Sequence, residues 1–503
     1  MSFRRDALSV VKVGWPLILN NVFNIGVNVS DTLMVGRLGA TQLAGLSIGS
    51  SLWIGTFLAG LGVIMALGPT VSQHYGARRL LEIGRDTRQA VWLALVISVA
   101  VMVVLNHLSP LLLWLGIEGD VVELAAGYLR GLSIGVPGCY LYHVMRQMNE
   151  GIGRTIPIMV VMGISLVVNV SISYCLVFGA LGLPAMGVVG SGLGNGISYW
   201  VMFVLITVHV SRSPTYRPFA LWQRLEAPDL ATLKRLVGLG GPIGLSLLLQ
   251  AGLFTALALL MGTLGKTYSA AHQIALNYAG LVFMVPLGLA FGTSVLVGQH
   301  IGAGNPQYAR RIGITGIVLC GVIALLVGLM TFFSAHWIAH AYTSDVAVAG
   351  MATSLLGISA FLQTGDGTQS AAAGALRGMK DTRVPMLING AIYWGIGFAL
   401  AWGLGIHMGL GAYGIWAGLA SALCTAAVVL TWRFRVVIAR HIAVWEAPGQ
   451  HHRRRTQRAG QSGPDAIGAQ SHVDAKPPGQ RKADAPVDGA IDEHGHAGVF
   501  HAA

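Results

Sequence analysis

The stretch NNVFNIGVNVSD, Asn20 to Asp31, places four asparagines and a carboxylate in an otherwise apolar run. At helical spacing Asn20, Asn21, Asn24, Asn28 and Asp31 fall within an arc of about 100°. Amides on such a face line a cavity or tie neighbouring helices together. An ionisable group deep in an apolar span is costly and points to function. Asp31 therefore has two chemistries open to it: coordinating a hard cation through oxygen, or loading and releasing a proton. The second half of the chain offers a similar set. Asp366 stands at helical spacing with Gln363 and Ser370, Gln250 with Ser246, and Gln273 with Asn277. Asn24, Asn28, Gln250, Gln273, Asn277 and Asp366 are taken as residues lining a substrate cavity.

The elements that must position these groups follow from composition. Of 503 residues, 54% are hydrophobic and only 10% charged, and mean hydropathy is +0.65. Those values exclude an ordinary soluble domain. Twelve apolar runs of membrane-crossing length recur, among them 13–35, 121–145, 384–406 and 411–436, so the fold class is an all-α membrane protein. Arg4, Arg5 and Lys12 lead into a full-length first span without a small-residue cleavage site, and that span is expected to be its own insertion signal. Cys139, Cys175, Cys320 and Cys424 all fall in spans, which argues for packing residues rather than disulfides.

Cations set the orientation. Alternate loops carry Arg78, Arg79, Arg85 and Arg88, then Arg154, then Arg212, Arg217, Arg224, Lys234 and Arg235, then Arg310 and Arg311, then Arg377, Lys380 and Arg383. The positive-inside rule makes these loops and both termini cytoplasmic. The net charge of +12 is thus a topology signal and requires no nucleic-acid partner. From about residue 441 the composition turns to Gly, Ala, Pro, His and Gln and reads as a disordered tail; its Arg453, Arg454, Arg455 and Arg458 read as solvated, and its histidines have no fixed metal-ligand spacing.

An internal repeat organises the chain. QHYGA at Gln73 recurs as QHIGA at Gln299, 226 residues on, and at the same offset Pro16 falls on Pro242 and Gly36 and Gly39 on Gly262 and Gly265. Gly151 and Thr155 are echoed by Gly378 and Thr382, and Gly187, Gly190 and Gly194 by Gly411, Gly414 and Gly418. Two six-helix units of the same orientation are implied, related by an axis along the membrane normal, as in transporters that rock one lobe against the other. The expected division is an N-terminal lobe over 1–210, a cytoplasmic connector over 211–235, a C-terminal lobe over 236–440 and a tail over 441–503.

DTLMVGRLGATQLAG in the first span, RQMNEGIGRTIPIMV after the fourth, AAHQIALNYAGLVFMVPLG in the eighth and AAGALRGMKDTRVPM after the tenth resemble the multidrug and toxic compound extrusion (MATE) family, in its NorM-like bacterial branch. The resemblance covers about residues 10–436. It implies two lobes around a V-shaped central cavity, export of drugs against H⁺ or Na⁺, no cofactor, a monomeric state, and a first-lobe cation site matching Asp31, Asn169, Ser173 and Asn195. Ser165, Asn169 and Ser173 do share one helix face, and Asn195 lies in a glycine-rich span that permits close approach. Relatives often carry a second amide or acid at the position of Ser173 and threonine at that of Asn195, and glutamate and tyrosine at those of Gln250 and Leu362. These departures leave Asp31 as the main coupling acid and the choice of ion open.

Other charges have plainer readings. Glu123 and Arg130, seven apart, are expected to pair; Arg146 and Glu150 to fix lobe packing; His272 and His407 to be satisfied by neighbours. GLGAYG at Gly409 to Gly414 lacks the strand-turn-helix setting of a dinucleotide site, and HAYTSD at His340 to Asp345 has no partner motif for acyl transfer. There is no GxxxxGK[ST] loop for ATP. The expected function is cation-coupled antiport of small organic, cationic amphiphilic compounds across the bacterial inner membrane, with lipid as the surrounding partner and no metal site or catalytic group. The alternatives are a flippase of lipid-linked oligosaccharides and, in a different class, a membrane-embedded enzyme.

Overall fold

The computed structural model describes residues 2–223 and 226–446. Arg224 and the tail beyond residue 446, with its arginine cluster and histidines, lie outside the described residues. The described chain is helical nearly throughout: α1 Ser2–Gly36, α2 Ala40–Gly76, α3 Leu80–Asn106, α4 in two segments Gly119–Ser133 and Val136–Gly151, α5 Ile156–Phe178, α6 Val188–Arg212, α7 Leu230–Leu264, α8 Lys266–Gly302, α9 Pro306–Tyr342, α10 Val346–Gly378, α11 Arg383–His407 and α12 Gly411–Glu446. α12 runs on past residue 441, so the last helix is longer than the composition change suggested.

Eleven of these are long and apolar enough to cross a membrane. The twelfth expected span, 121–145, is where the structure departs from an unbroken helix. Its two segments meet at Ile134 and Gly135, followed by Pro137, which has no amide to donate to the preceding turn. α11 also carries two π-helical stretches, Ala391–Phe398 and Gly403–His407. Helix starts are capped where charge allows: Asp229 accepts from Ala231 N at 3.1 Å, Asn305 from Tyr308 N at 3.2 Å and Asp345 from Ala347 N at 2.8 Å.

Two apolar cores form along the chain. One draws on residues from Val35 to Leu236; the other is built of two clusters between Leu253 and Ile438, one of which takes in Val10, Val11 and Ile18 from α1. The halves touch through paired crossings. α1 packs on α8 at Gly14 and Gly288, and α7 packs on α2 at Gly240 and Val63. A Cβ on Gly240 would sit only 2.3 Å from the Val63 carbonyl oxygen, so that position requires glycine, and one on Gly14 would be tight at 3.1 Å from that of Gly288. Gly14 and Gly240 are 226 apart, the repeat offset. The tight turns repeat as well: Arg78 and Gly304, at the same offset, have φ of 58° and 74°, and Gly153 and Lys380, 227 apart, have 79° and 62°.

Cross-lobe hydrogen bonds gather at one end of the bundle. Gln73 Nε2 donates to the Gly378 carbonyl at 2.9 Å, and Gln299 Nε2 donates to that of Gly151 at 2.9 Å. Beside them Asp6 accepts from Tyr308 and pairs with Arg311, and Arg235 reaches Asp86 at 2.7 Å. The segment between α6 and α7 is strapped to α3 by Arg88 to Glu226 at 2.6 Å, Gln89 to the Ala227 carbonyl at 2.9 Å and Trp92 to the Glu226 carbonyl at 3.0 Å. Within that segment burial pushes the Tyr216 hydroxyl up to about 12, with Arg154 opposing, while Thr232 and the Ala231 amide hold Asp229 below the usual carboxylate range.

Candidate functional site

Asp31 lies near the far end of α1, buried beneath α6. Asn195 Nδ2 donates to its Oδ2 at 2.6 Å and to the Ser191 carbonyl at 3.1 Å. The Asn195 carbonyl oxygen in turn accepts from Asn169 Nδ2 at 3.2 Å. Ser173 and Ser191 stand beside the same carboxylate without meeting hydrogen-bond geometry. Four buried oxygens here lack a protein partner: Asp31 Oδ1, Asn169 Oδ1, Ser173 Oγ and Ser191 Oγ. Buried polar atoms are normally satisfied, so a cluster of unpaired acceptors on three helices is a site with something left to bind.

The glycines of α6 make this approach possible. A Cβ on Gly194 would lie 2.4 Å from Ser173 Oγ, and one on Gly190 2.7 Å from the Leu176 carbonyl, both on α5. Gly192 and Gly196 do the same against α4, at Tyr128 and Gly135. Alternate glycines therefore bring α4 and α5 onto opposite sides of α6, and the backbones close around Asp31. Asp31, Asn169, Ser173 and Asn195, expected from the resemblance to lie together, are in one cluster. Ser191 was missed, although its position four residues before Asn195 puts it on the same face.

The polar stripe of α1 does not act as one face. Asn20 is buried toward the closed end and Asp31 beneath α6, but Asn24 and Asn28 between them are exposed, with Asn28 donating back to the Asn24 carbonyl at 3.1 Å. They share Asp31's direction but stand lower on the helix, where no neighbour covers them.

In the second lobe a cavity of about 390 Å³ is lined by apolar side chains and by Gln250, Gln363 and Asp366. Asp366 is 7% exposed, with Oδ1 unpaired. Gln363 is held by Ser359 at 3.2 Å and Thr331 at 3.4 Å. Gln250 also lines a second, more polar cavity of about 180 Å³ containing Ser370, Gln369 and Asn389. Gln273 and Asn277 do not line the larger one. α8 presents Leu276, Ala279, Gly280 and Phe283 to it, and at helical spacing Gln273 and Asn277 point roughly 60–100° away from that face, where both are exposed.

The remaining charges sort as follows. Arg146 pairs with Glu150 at 2.6 Å, and His272 Nδ1 accepts from Trp416 at 3.1 Å. Glu123 and Arg130 do not pair: both are exposed, and two turns of helix hold them about 10 Å apart along the axis. The four cysteines are free.

A bundle of two repeated halves, meeting at one end and holding a buried acid among unpaired oxygens, defines a multi-pass membrane transporter. The MatE family pattern matches residues 16–175 and 242–402, two copies whose starts are 226 apart. The chain belongs to the MATE family, whose members are transporters rather than enzymes and need no cofactor. It is 33% identical over 453 residues to the probable multidrug resistance protein NorM of Shewanella oneidensis, covering 89% of this chain and 99% of that one. It is 34% identical to the multidrug resistance protein MdtK of Yersinia enterocolitica, covering 86% and 95%. Its fold matches an outward-facing multidrug resistance MATE family transporter at a TM-score of 0.80 and 21% identity, covering 87% and 96%, and a MATE structure in the bent conformation at 0.81 and 20%, covering 88% and 98%.

Proposed function

We propose that this chain is a multidrug antiporter of the bacterial inner membrane, exporting small organic cations while H⁺ or Na⁺ enters through the Asp31 site. The observation that carries the reading is the cluster of four unpaired oxygens around Asp31. A carboxylate, an amide and two hydroxyls make a hard-cation ligand set, and the same carboxylate serves a proton equally. Asn169, Ser173 and Asn195 position it. The names of the 33–34% identical relatives support drugs as the cargo.

The second-lobe cavity suits such cargo. Apolar walls around Asp366 would hold an amphiphilic cation, its charge facing the carboxylate and its body against Phe283 and Phe254. Gln250 reaches the same space, and Asn24 and Asn28 stand open on α1. Gln273 and Asn277 stand exposed on α8, outside that cavity's lining. The internal repeat and the two matched family segments support lobes over 1–210 and 236–440 joined by 211–235. The arginine-bearing loops at the closed end support a cytoplasmic location for that end and for both termini. The protein works as a monomer surrounded by lipid. Binding of the ion and of the drug favour opposite lobe arrangements, so each displaces the other.

The test is efflux of a fluorescent organic cation from proteoliposomes under separately imposed pH and Na⁺ gradients. Drive by one gradient, lost in Asp31→Asn, supports the reading and identifies the ion. Movement of lipid-linked oligosaccharide without dye transport would favour the flippase, and turnover of a lipid would favour an enzyme.

A further inference from the structure

Glu150 ends α4 and Arg377 ends α10, and they occupy the same position in the two repeats. They are 227 apart, as are their neighbours Gly151 and Gly378, whose carbonyls accept the paired cross-lobe bonds from Gln299 and Gln73. The repeat therefore brings an acid and a base together across the pseudo-twofold axis, where two copies of either residue would repel.

Glu150 is buried and Arg377 half-buried. Both face a cavity of about 10 Å³ whose other walls include Ser72 and Gly68 of α2, Gln147 of α4 and Ser294 of α8. That is room for roughly one water. Glu150 is 3% exposed and pairs within its own lobe with Arg146 at 2.6 Å. Among the described residues Arg377 has no hydrogen-bonded acid; its guanidinium lies 5.6 Å from the Phe291 ring centroid, and the acid that shares its cavity wall is Glu150, from the other lobe. Glu150 thus has Arg146 as its ion-pair partner in its own lobe and shares a cavity wall with Arg377 of the other.

We propose that Glu150 and Arg377 are the charged centre of the gate that shuts the cytoplasmic end, with the Gln73 and Gln299 bonds as its flanks. This rests on the transport reading above. Closure lets one buried acid balance a cation in each lobe. Opening takes the acid away with Arg146 and leaves Arg377 to water, so the gate gives way once wetting offsets the lost attraction. Glu150 and Arg377 are positioning residues: they set which end of the pathway is open without touching cargo.

The experiment is a distance measurement between spin labels on Leu81→Cys and Arg310→Cys, exposed sites on α3 and α9 near the closed end, in full-length protein in nanodiscs, with the native cysteines replaced. Arg377→Gln should shift the distribution toward longer, cytoplasm-open distances. Glu150→Gln should shift it further, because two cations in opposite lobes then face each other without an anion. Arg146→Gln removes the same charge as Arg377→Gln but from within one lobe, and should stay closed, as should Arg377→Lys. The proposal is overturned if Arg377→Gln keeps the wild-type distribution, or if Arg146→Gln opens the gate as far. Should Glu150→Gln fail to fold, the two arginine variants decide alone. Dye efflux is measured in parallel: distances that respond as stated in a protein that moves no dye would sink the drug-antiport reading and leave the gate standing.

Discussion

The Asn195 side-chain amide donates to the Asp31 carboxylate at 2.6 Å, joining residues 164 apart in sequence. That amide also donates to the Ser191 carbonyl, and its oxygen is taken up by Asn169. Asn195 therefore has no donor left, and the second carboxylate oxygen of Asp31 stays unpaired. The network orients the acid without saturating it.

Asp31→Asn keeps the shape of that network and removes its charge. Ion-driven efflux should fall to background, while stability changes by no more than ~1 kcal/mol, the net worth of one hydrogen bond. Dye efflux from energised vesicles and thermal unfolding of purified protein check the two halves; efflux at the wild-type rate would remove Asp31 from the mechanism.

Gly194→Ala places a methyl group 2.4 Å from Ser173 Oγ and 3.2 Å from Ser173 Cα. The helices must separate, at a cost of about 1–3 kcal/mol, and the ligand oxygens spread with them. The melting temperature should drop, and the affinity for the coupling ion should weaken. Adding Ser173→Ala should recover part of the stability but none of the ion affinity.

Asp366→Asn removes the carboxylate from the second-lobe cavity. A cationic dye should lose about tenfold in apparent affinity, equivalent to ~1.4 kcal/mol, while a neutral dye of the same shape is unaffected. Equal losses for both dyes would indicate a structural role instead.

Lys380 gives a pH dependence outside the membrane spans. Burial first, then Arg235 beside it, push its ammonium down to about 8 from 10.5, with Asp86 and Glu82 opposing. Below about 8 the lysine is charged in both folded and unfolded chains, and its burial cost is present in full. Between about 8 and 10.5 the unfolded chain binds more protons, so stability rises with pH. Lys380→Met should be more stable than wild type at pH 7, on the order of 2 kcal/mol, with the gap closing as pH approaches 10.5 in denaturant titrations.

Much of the architecture was legible in order along the chain. Apolar length alone marks the spans, because a bilayer admits only backbone that satisfies its own hydrogen bonds, and the repeat of Gln73 in Gln299 announces two like-oriented halves. The break in α4 was not legible as a break, since Gly135 and Pro137 also occur in unbroken membrane helices. Asp31 stood out because a carboxylate in an apolar span is costly wherever it sits. Its partners are another matter: spacing put Asn169 and Ser173 on one face, and only the resemblance joined them to Asn195.

What the sequence by itself determined is periodic: which residues share a helix face, where helices begin and end, and that one half repeats the other. What only the tertiary structure decided is which face is covered, and at what depth. Asn24 and Asp31 point the same way along α1, yet one is open and the other buried, because α6 reaches Asp31 through Asn195 and no neighbour covers Asn24. Glu150 and Arg377 are likewise equivalent by repeat, but their meeting across the axis depends on how the lobes dock. Angle is a property of one helix; burial needs a neighbour, and neighbours are set by packing between segments far apart in the chain.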